Sequence, residues 1–350
     1  MTAPRLMVIF GAGASYDSVN IRPPGRAEPE LNEHLRPPLA NELFDPRWPY
    51  DDAVKQIPRV RYLAARLRAL RDGLSLEETL ERLLEERDSE GIVQKGMTAL
   101  RFYLQSTLWD APRSWASLAS GATNYVWLVG DIQRYWMHRG PVCFVTFNYE
   151  LLLEDACAEF GVAFGQMTDY IENRYALIRP HGAVNWAHPA VIHGPEGNVV
   201  TDLPSHPDAL RSVIIESTEK VEISPTHLLV GTPGAGTAQE PRVPALSVPA
   251  RSKDRFEMPD AHLDALRRWI PEVTHLLVIG WRGADVPFLQ LWKQAGASPR
   301  FAWIVAGGRA GAEQVNAELG KYGLGPGSVS EHGFTQFLRA EEHRYFFERA

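Results

Sequence analysis

Three short stretches of this 350-residue chain combine residue types that can do chemistry. The first, Gly11-Ala12-Gly13-Ala14-Ser15, follows the apolar run Leu6–Phe10. Glycines there let the backbone turn sharply and approach a ligand, because no Cβ obstructs it. A helix starting at such a loop would present unpaired N–H groups to a pyrophosphate. The second, Thr146-Phe147-Asn148-Tyr149-Glu150, stands where a short apolar strand, Cys143–Val145, gives way to a helical pattern. In open α/β sheets the crevice beyond the carboxyl ends of the strands is where ligands bind. Asn148 as a helix N-cap, with Glu150 in the first turn, is the purely structural alternative. The third is His181, set between Pro180 and Gly182 in IRPHGAVNW. An imidazole, with a reference pKa of about 6.5, suits proton transfer near neutral pH.

These stretches must be positioned by strands and helices. Leu6–Phe10, Cys143–Val145, Ala176–Ile178, Val213–Ile215, His227–Val230, His275–Ile279 and Ala302–Val305 read as strands. Asp260–Trp269 and Ala312–Leu319 read as helices among them, and that alternation predicts a mostly parallel sheet covered on both faces. Residues 21–50 are Pro-rich and read as loop with short helical pieces. Helices then dominate: Ser75 and Glu78 form a capping box, and Leu76, Leu80, Leu83 and Leu84 make one apolar face. Residues 97–109 and 114–137 continue the helical character, with Trp115, Trp127 and Trp136 read as core ahead of an assembly surface. Segments 187–211 and 231–259 read as long surface loops. The expected organisation is a nucleotide-binding α/β domain, residues 1–20 and 138–350, interrupted by a helical insertion over 21–137.

The composition, 45% hydrophobic and 23% charged, is that of an ordinary soluble globular protein. A formal net charge of −7 argues against a general nucleic-acid binder. Arg59, Arg61, Arg66, Arg68 and Arg71 form the best local basic run, read as the solvated face of an amphipathic helix. Two cysteines, Cys143 and Cys157, cannot make a four-cysteine zinc site and are expected to be core residues in a reducing cytoplasm. Leu6–Phe10 is shorter than a signal-peptide core, and nothing later is long enough to span a bilayer. His188 and His193 raise the thought of a metal, but no carboxylate or cysteine completes a familiar spacing, so no metal is expected. The glycine loop lacks the third glycine of GxGxxG and no second strand with a terminal acid follows, which disfavours a hydride-transfer dinucleotide fold.

Together, and in this order, GAGAS, TFNYELLLE and HGAVNW resemble the motifs of the bacterial sirtuin-like family, where the second and third commonly read T-x-N-Y-D-x-L-L-E and H-G-S-x-N-W. LLVIGWRGAD at 276–285 resembles that family's apolar strand ending in I-G-Y-S with an aspartate a few residues on. The resemblance touches both ends of the chain. It implies an inverted Rossmann-like sheet of the sirtuin type, NAD as substrate, and cleavage of the nicotinamide–ribose bond, often as antiphage defence by NAD depletion. It implies Asn148 and His181 as catalytic residues, and Gly11, Ala12, Gly13, Ser15, Thr146, Glu150 and Gly280 as cofactor-binding residues. It also implies restraint by self-assembly, by the insertion, or by a separately encoded sensor or ATPase partner. Two departures stand out: Glu150 replaces the usual Asp, and Trp281-Arg282-Gly283 replaces the usual Tyr-Ser-hydrophobic run before Asp285. The missing zinc cysteines set the chain apart from protein deacylases. A non-catalytic module binding NAD or ADP-ribose is the alternative.

Overall fold

Among the described residues ten strands follow in chain order: β1 Leu6–Phe10, β2 Val142–Thr146, β3 Tyr175–Ile178, β4 Gly182–Ile192, β5 Val221–Ile223, β6 Leu228–Leu229, β7 Arg242–Leu246, β8 His275–Ile279, β9 Phe301–Val305 and β10 Ser328–Val329. They come from a computed structural model, which describes residues 3–19, 35–44, 50–69, 76–85, 91–172, 174–248, 256–324 and 326–349. The chain divides into two compact units, one of residues 1–39, 112–180 and 260–350, the other of 40–111 and 181–259. Residues 112–137 of the expected insertion thus belong to the unit that contains β1.

In that first unit six strands make one sheet in the order β10-β9-β8-β1-β2-β3, every pairing parallel. Counted in chain order within the unit, this is the doubly wound arrangement 3-2-1-4-5-6. Every residue of β1, β2 and β8 is buried. A strand covered on both faces has no polar side to show, which is why these segments read as unbroken apolar runs. The expected α/β fold with a parallel sheet is what the chain adopts. Helices Asn124–Tyr135, Leu152–Ala158, Asp260–Trp269, Val286–Ala295 and Arg309–Gly320 accompany it. Trp115 and Trp136 are fully buried, whereas Trp127 is 38% exposed. Cys143 and Cys157 are buried free thiols, both pushed up by burial.

The second unit holds β4 to β7 in an antiparallel sheet centred on β4, together with helices Tyr50–Gln56, Pro58–Ala69, Leu76–Glu85 and Pro207–Glu216 and most of Ile92–Ser117. Three sequence readings are corrected here. Val213–Ile215 lies inside helix Pro207–Glu216, because a three-residue apolar run carries no period of its own. Residues 187–192, read as loop, extend β4, and β7 lies within the segment 231–259, also read as loop. Leu76, Leu80 and Leu83 are buried as expected, while Ser75 and Arg71 lie outside the described residues. Arg59 donates to Glu216 at 2.6 Å and Arg61 to the Lys55 carbonyl at 2.8 Å, so part of the basic run is engaged within the unit. Among the described residues no helix is long and apolar enough to cross a membrane.

Candidate functional site

Register sets the site. Phe10 pairs with Thr146 on one side and Ile279 on the other, so the loops after β1, β2 and β8 leave the sheet side by side at its carboxyl edge. They pack backbone to backbone. Gly11 N–H donates to the Ile279 carbonyl at 3.1 Å and Gly13 N–H to the Gly280 carbonyl at 3.0 Å. A Cβ on Gly11 would fall 2.6 Å from Trp281 Cα, and one on Gly280, at φ +63°, only 2.1 Å from Ala14 N. The glycines are therefore required where two loops touch, and the Gly11 and Gly13 amides are engaged by the chain itself.

The side chains over this edge form one buried network. Asn148 Nδ2 lies 2.8 Å from Ser15 Oγ, 3.1 Å from the Gly11 carbonyl and 3.2 Å from Tyr125 Oη. Ser15 Oγ is 2.9 Å from Tyr125 Oη and donates to the Glu150 carboxylate. The Asn148 N–H donates to Thr146 Oγ1 at 3.2 Å. Asn148 and Glu150 are 7% and 5% exposed. The helix after β2 starts only at Leu152, with Leu151 at its N-cap, so Asn148 caps nothing. Its carboxamide is turned toward the β1 loop instead, which removes the structural alternative.

Burial pushes the Glu150 carboxyl up to about 7, against the Arg179 charge and the Ser15 hydrogen bond. Burial, reinforced by the Glu150 charge, pushes the Tyr125 phenol well above its usual range, so it stays neutral. The site thus holds a carboxyl group that gains or loses a proton near neutral pH. Such displaced values are what acid–base sites use.

Arg179 and Tyr125 were not singled out from the sequence. Arg179 is wholly buried and donates to the carbonyls of Asn148 and Glu150, each at 2.8 Å. Its guanidinium also grips Glu154, with Nε at 2.6 Å from one carboxylate oxygen and Nη2 on the other. Burial opposes its charge, but Glu154 more than compensates. Two carbonyls of the loop after β2 are thereby fixed by one planar cation. Its position directly before Pro180, at the end of β3, is the only sequence signal. Phe147 stacks on Trp281 with ring centroids 4.8 Å apart and planes 5° apart, fastening the β2 loop to the β8 loop. Asp285 accepts from Phe288 N–H at 2.9 Å and is the N-cap of helix Val286–Ala295.

His181 is the first residue of the 181–259 segment of the second unit, and within that unit it stands in the turn into β4. It is partly exposed, and its carbonyl accepts from Ser247 N–H at 3.0 Å. Of the expected site residues, Gly11, Gly13, Ser15, Thr146, Asn148, Glu150 and Gly280 meet at one sheet edge in the first unit. Ala12 begins the five-residue helix Ala12–Tyr16 there. In the second unit the ring nitrogens of His188 and His227 and a carboxylate oxygen of Glu257 lie within 4.8 Å of one another. His193 points elsewhere, with Nε2 3.0 Å from Glu222.

No protein-family profile and no curated relative matches the chain. Among solved structures it is similar to a Sir2 homologue in complex with NAD, 12% identical over 91% of this chain and 90% of the other, at a TM-score of 0.33. It is similar also to Sir2Tm bound to a propionylated peptide, 11% identical over 99% and 95%, at 0.38. A Sir2–p53 peptide–NAD+ complex aligns at 13% identity over 97% and 94%, at 0.37. At these values the chains align along most of their lengths without superposing closely.

Proposed function

We propose that this protein is an NAD+ glycohydrolase that cleaves the nicotinamide–ribose bond, yielding nicotinamide, ADP-ribose and a proton from NAD+ and water. The observation that carries this reading is the Asn148 carboxamide, held over the carboxyl edge of β1 and β2 beside Ser15 and a Glu150 carboxyl that titrates near neutrality. Charged nicotinamide is a good leaving group. The protein then needs to hold the ribose, stabilise an oxocarbenium-like centre and deliver an oxygen nucleophile. Asn148 orients the ribose or the attacking water, and His181 accepts the proton. A positioned base contributes about 10²–10⁴-fold and orientation contributes more. Ser15, Thr146 and Glu150, with the loop Gly11–Gly13 and Gly280, surround the dinucleotide. Binding requires Asn148 to exchange its bond to Ser15 or Tyr125 for one to substrate.

The motif resemblance supports the same reading, and with it a role as a restrained NAD-depleting effector of antiphage defence. Restraint would come from homo-oligomerisation or from a separately encoded sensor or ATPase. A second reading has an observation of its own. Asn148 and Glu150 are buried and bonded to the chain itself, as suits a weakly catalytic module that binds NAD or ADP-ribose and reports the fact.

The test is chromatographic: purified protein across a concentration series with NAD+, beside Asn148→Ala and His181→Ala. Nicotinamide release by the wild type that both variants lose establishes the hydrolase. NAD+ that binds and survives at every concentration establishes the binding module. NAD+ that neither binds nor reacts overturns both.

A further inference from the structure

A second chemistry-bearing cluster lies in the second unit, independent of the NAD reading. In the antiparallel pairing of β4 with β6, Ala187 stands opposite Leu228, which places His188 opposite His227. The two rings sit 4.3 Å apart at 61°. Glu257, which follows β7 in the chain, brings Oε1 to 2.7 Å from His188 Nε2. His188 is 6% exposed.

We propose that His188, His227 and Glu257 bind one divalent cation of the zinc type, which braces the turn carrying His181. Two imidazoles and one carboxylate are a zinc donor set, with the fourth position left to water. The orientation of His188 supports this. Its Nδ1 is 2.9 Å from the Thr226 carbonyl, which can only accept, so Nδ1 carries the hydrogen and Nε2 faces the cluster. A ligating histidine almost always donates its other ring N–H in this way, to a carbonyl or carboxylate. Glu257 is supported in the same manner: Arg101 stands 3.4 Å from Oε2, leaving Oε1 turned to His188.

Bonds of about 2.0–2.1 Å set tetrahedral donors about 3.3 Å apart, so Nε2 and Oε1 must part by about 0.6 Å to admit the ion. That is a rotamer adjustment. The link to His181 runs through the next residue. A Cβ on Gly182, at φ +75°, would fall 3.3 Å from Glu257 Cγ and 2.0 Å from the Ala245 carbonyl oxygen. Fixing Glu257 therefore fixes what packs against the His181–Gly182 turn. His193 is excluded because it stands just past the end of β4 with its Nε2 3.0 Å from Glu222.

The experiment uses untagged full-length protein, purified without chelator and assayed by inductively coupled plasma mass spectrometry. About one zinc per chain is expected, falling at least tenfold in His188→Ala, His227→Ala and Glu257→Gln and retained in His193→Ala. Should the variants fold poorly, the wild type decides alone: chelator-stripped protein titrated with Co²⁺ gives a saturable visible absorption that Zn²⁺ displaces. Loading slows hydrogen exchange over residues 181–188. A wild type with neither bound zinc nor a Co²⁺ spectrum overturns the site and leaves a hydrogen-bonded His–Glu pair. Equal loss of metal in His193→Ala overturns the ligand assignment, and unchanged exchange over 181–188 overturns the bracing of the turn.

Discussion

Ser15 and Glu150, 135 residues apart in sequence, share a hydrogen bond in the buried interior, the hydroxyl of the β1 loop donating to the carboxylate of the β2 loop. The bond joins the first two motifs directly. It also explains what the longer acid does here, since the extra methylene of Glu lets the carboxylate reach back to the glycine loop.

The pH dependence of stability follows from that carboxylate. Glu150 holds its proton to about pH 7 when folded, against an ordinary value of 4.5. Between those pH values the folded chain binds more protons than the unfolded chain, so stability falls as pH rises through that window and levels off above it. The full effect is of order 3 kcal/mol. Glu150→Gln removes it, so the variant's advantage grows from pH 4.5 to 7. Urea unfolding at half-unit pH steps measures this, and parallel curves for wild type and variant would refute it.

Tyr125→Phe deletes the hydroxyl near both Ser15 and Asn148 and leaves the ring packed on Phe10, at 5.2 Å between centroids. A loss of about 1 kcal/mol is expected, because Ser15 and Asn148 keep each other as partners. Thermal unfolding should shift down by roughly 2 °C. A much larger shift would mean that the phenol orders the whole network.

Arg179 offers a sharper contrast. Arg179→Met leaves Glu154 without its cation and two loop carbonyls without donors, and should cost about 3–5 kcal/mol. Arg179→Lys keeps the charge but not the planar fork, so it should recover less than half of that loss. Denaturant midpoints compare the two, and a lysine variant as stable as wild type would show that charge alone suffices.

Gly280→Ala and Gly320→Ala separate packing from propensity. The first places a Cβ against Ala14 N and the Gly13 carbonyl carbon at a left-handed φ. The second adds a methyl at the end of helix Arg309–Gly320 with nothing within 4 Å. Gly280→Ala should disrupt the joined loops and lower soluble yield. Gly320→Ala should change stability by less than about 1 kcal/mol, in the stabilising direction. Equal melting temperatures for the two variants would contradict the close contact between the loops.

The sequence by itself determined the central strands and the first two motifs. Leu6–Phe10 and His275–Ile279 are legible to the residue because strands buried on both faces must be apolar throughout. Helix Asp260–Trp269 is legible from its period. Short runs were not: Val213–Ile215 turned out helical, and β4 continues to Ile192 through a stretch whose Ala-His-Pro composition resembles loop. Only the tertiary structure decided what Asn148, Glu150, Arg179 and His188 touch. Asn148 looked equally suited to a helix cap, and the parallel register of β2 on β1 turned it toward Ser15 instead. Glu257 meets His188 across 69 residues, by way of an antiparallel sheet that no local spacing encodes. Local pattern reports which face of an element is buried, whereas a partner is chosen by strand order and register, which depend on the whole chain at once.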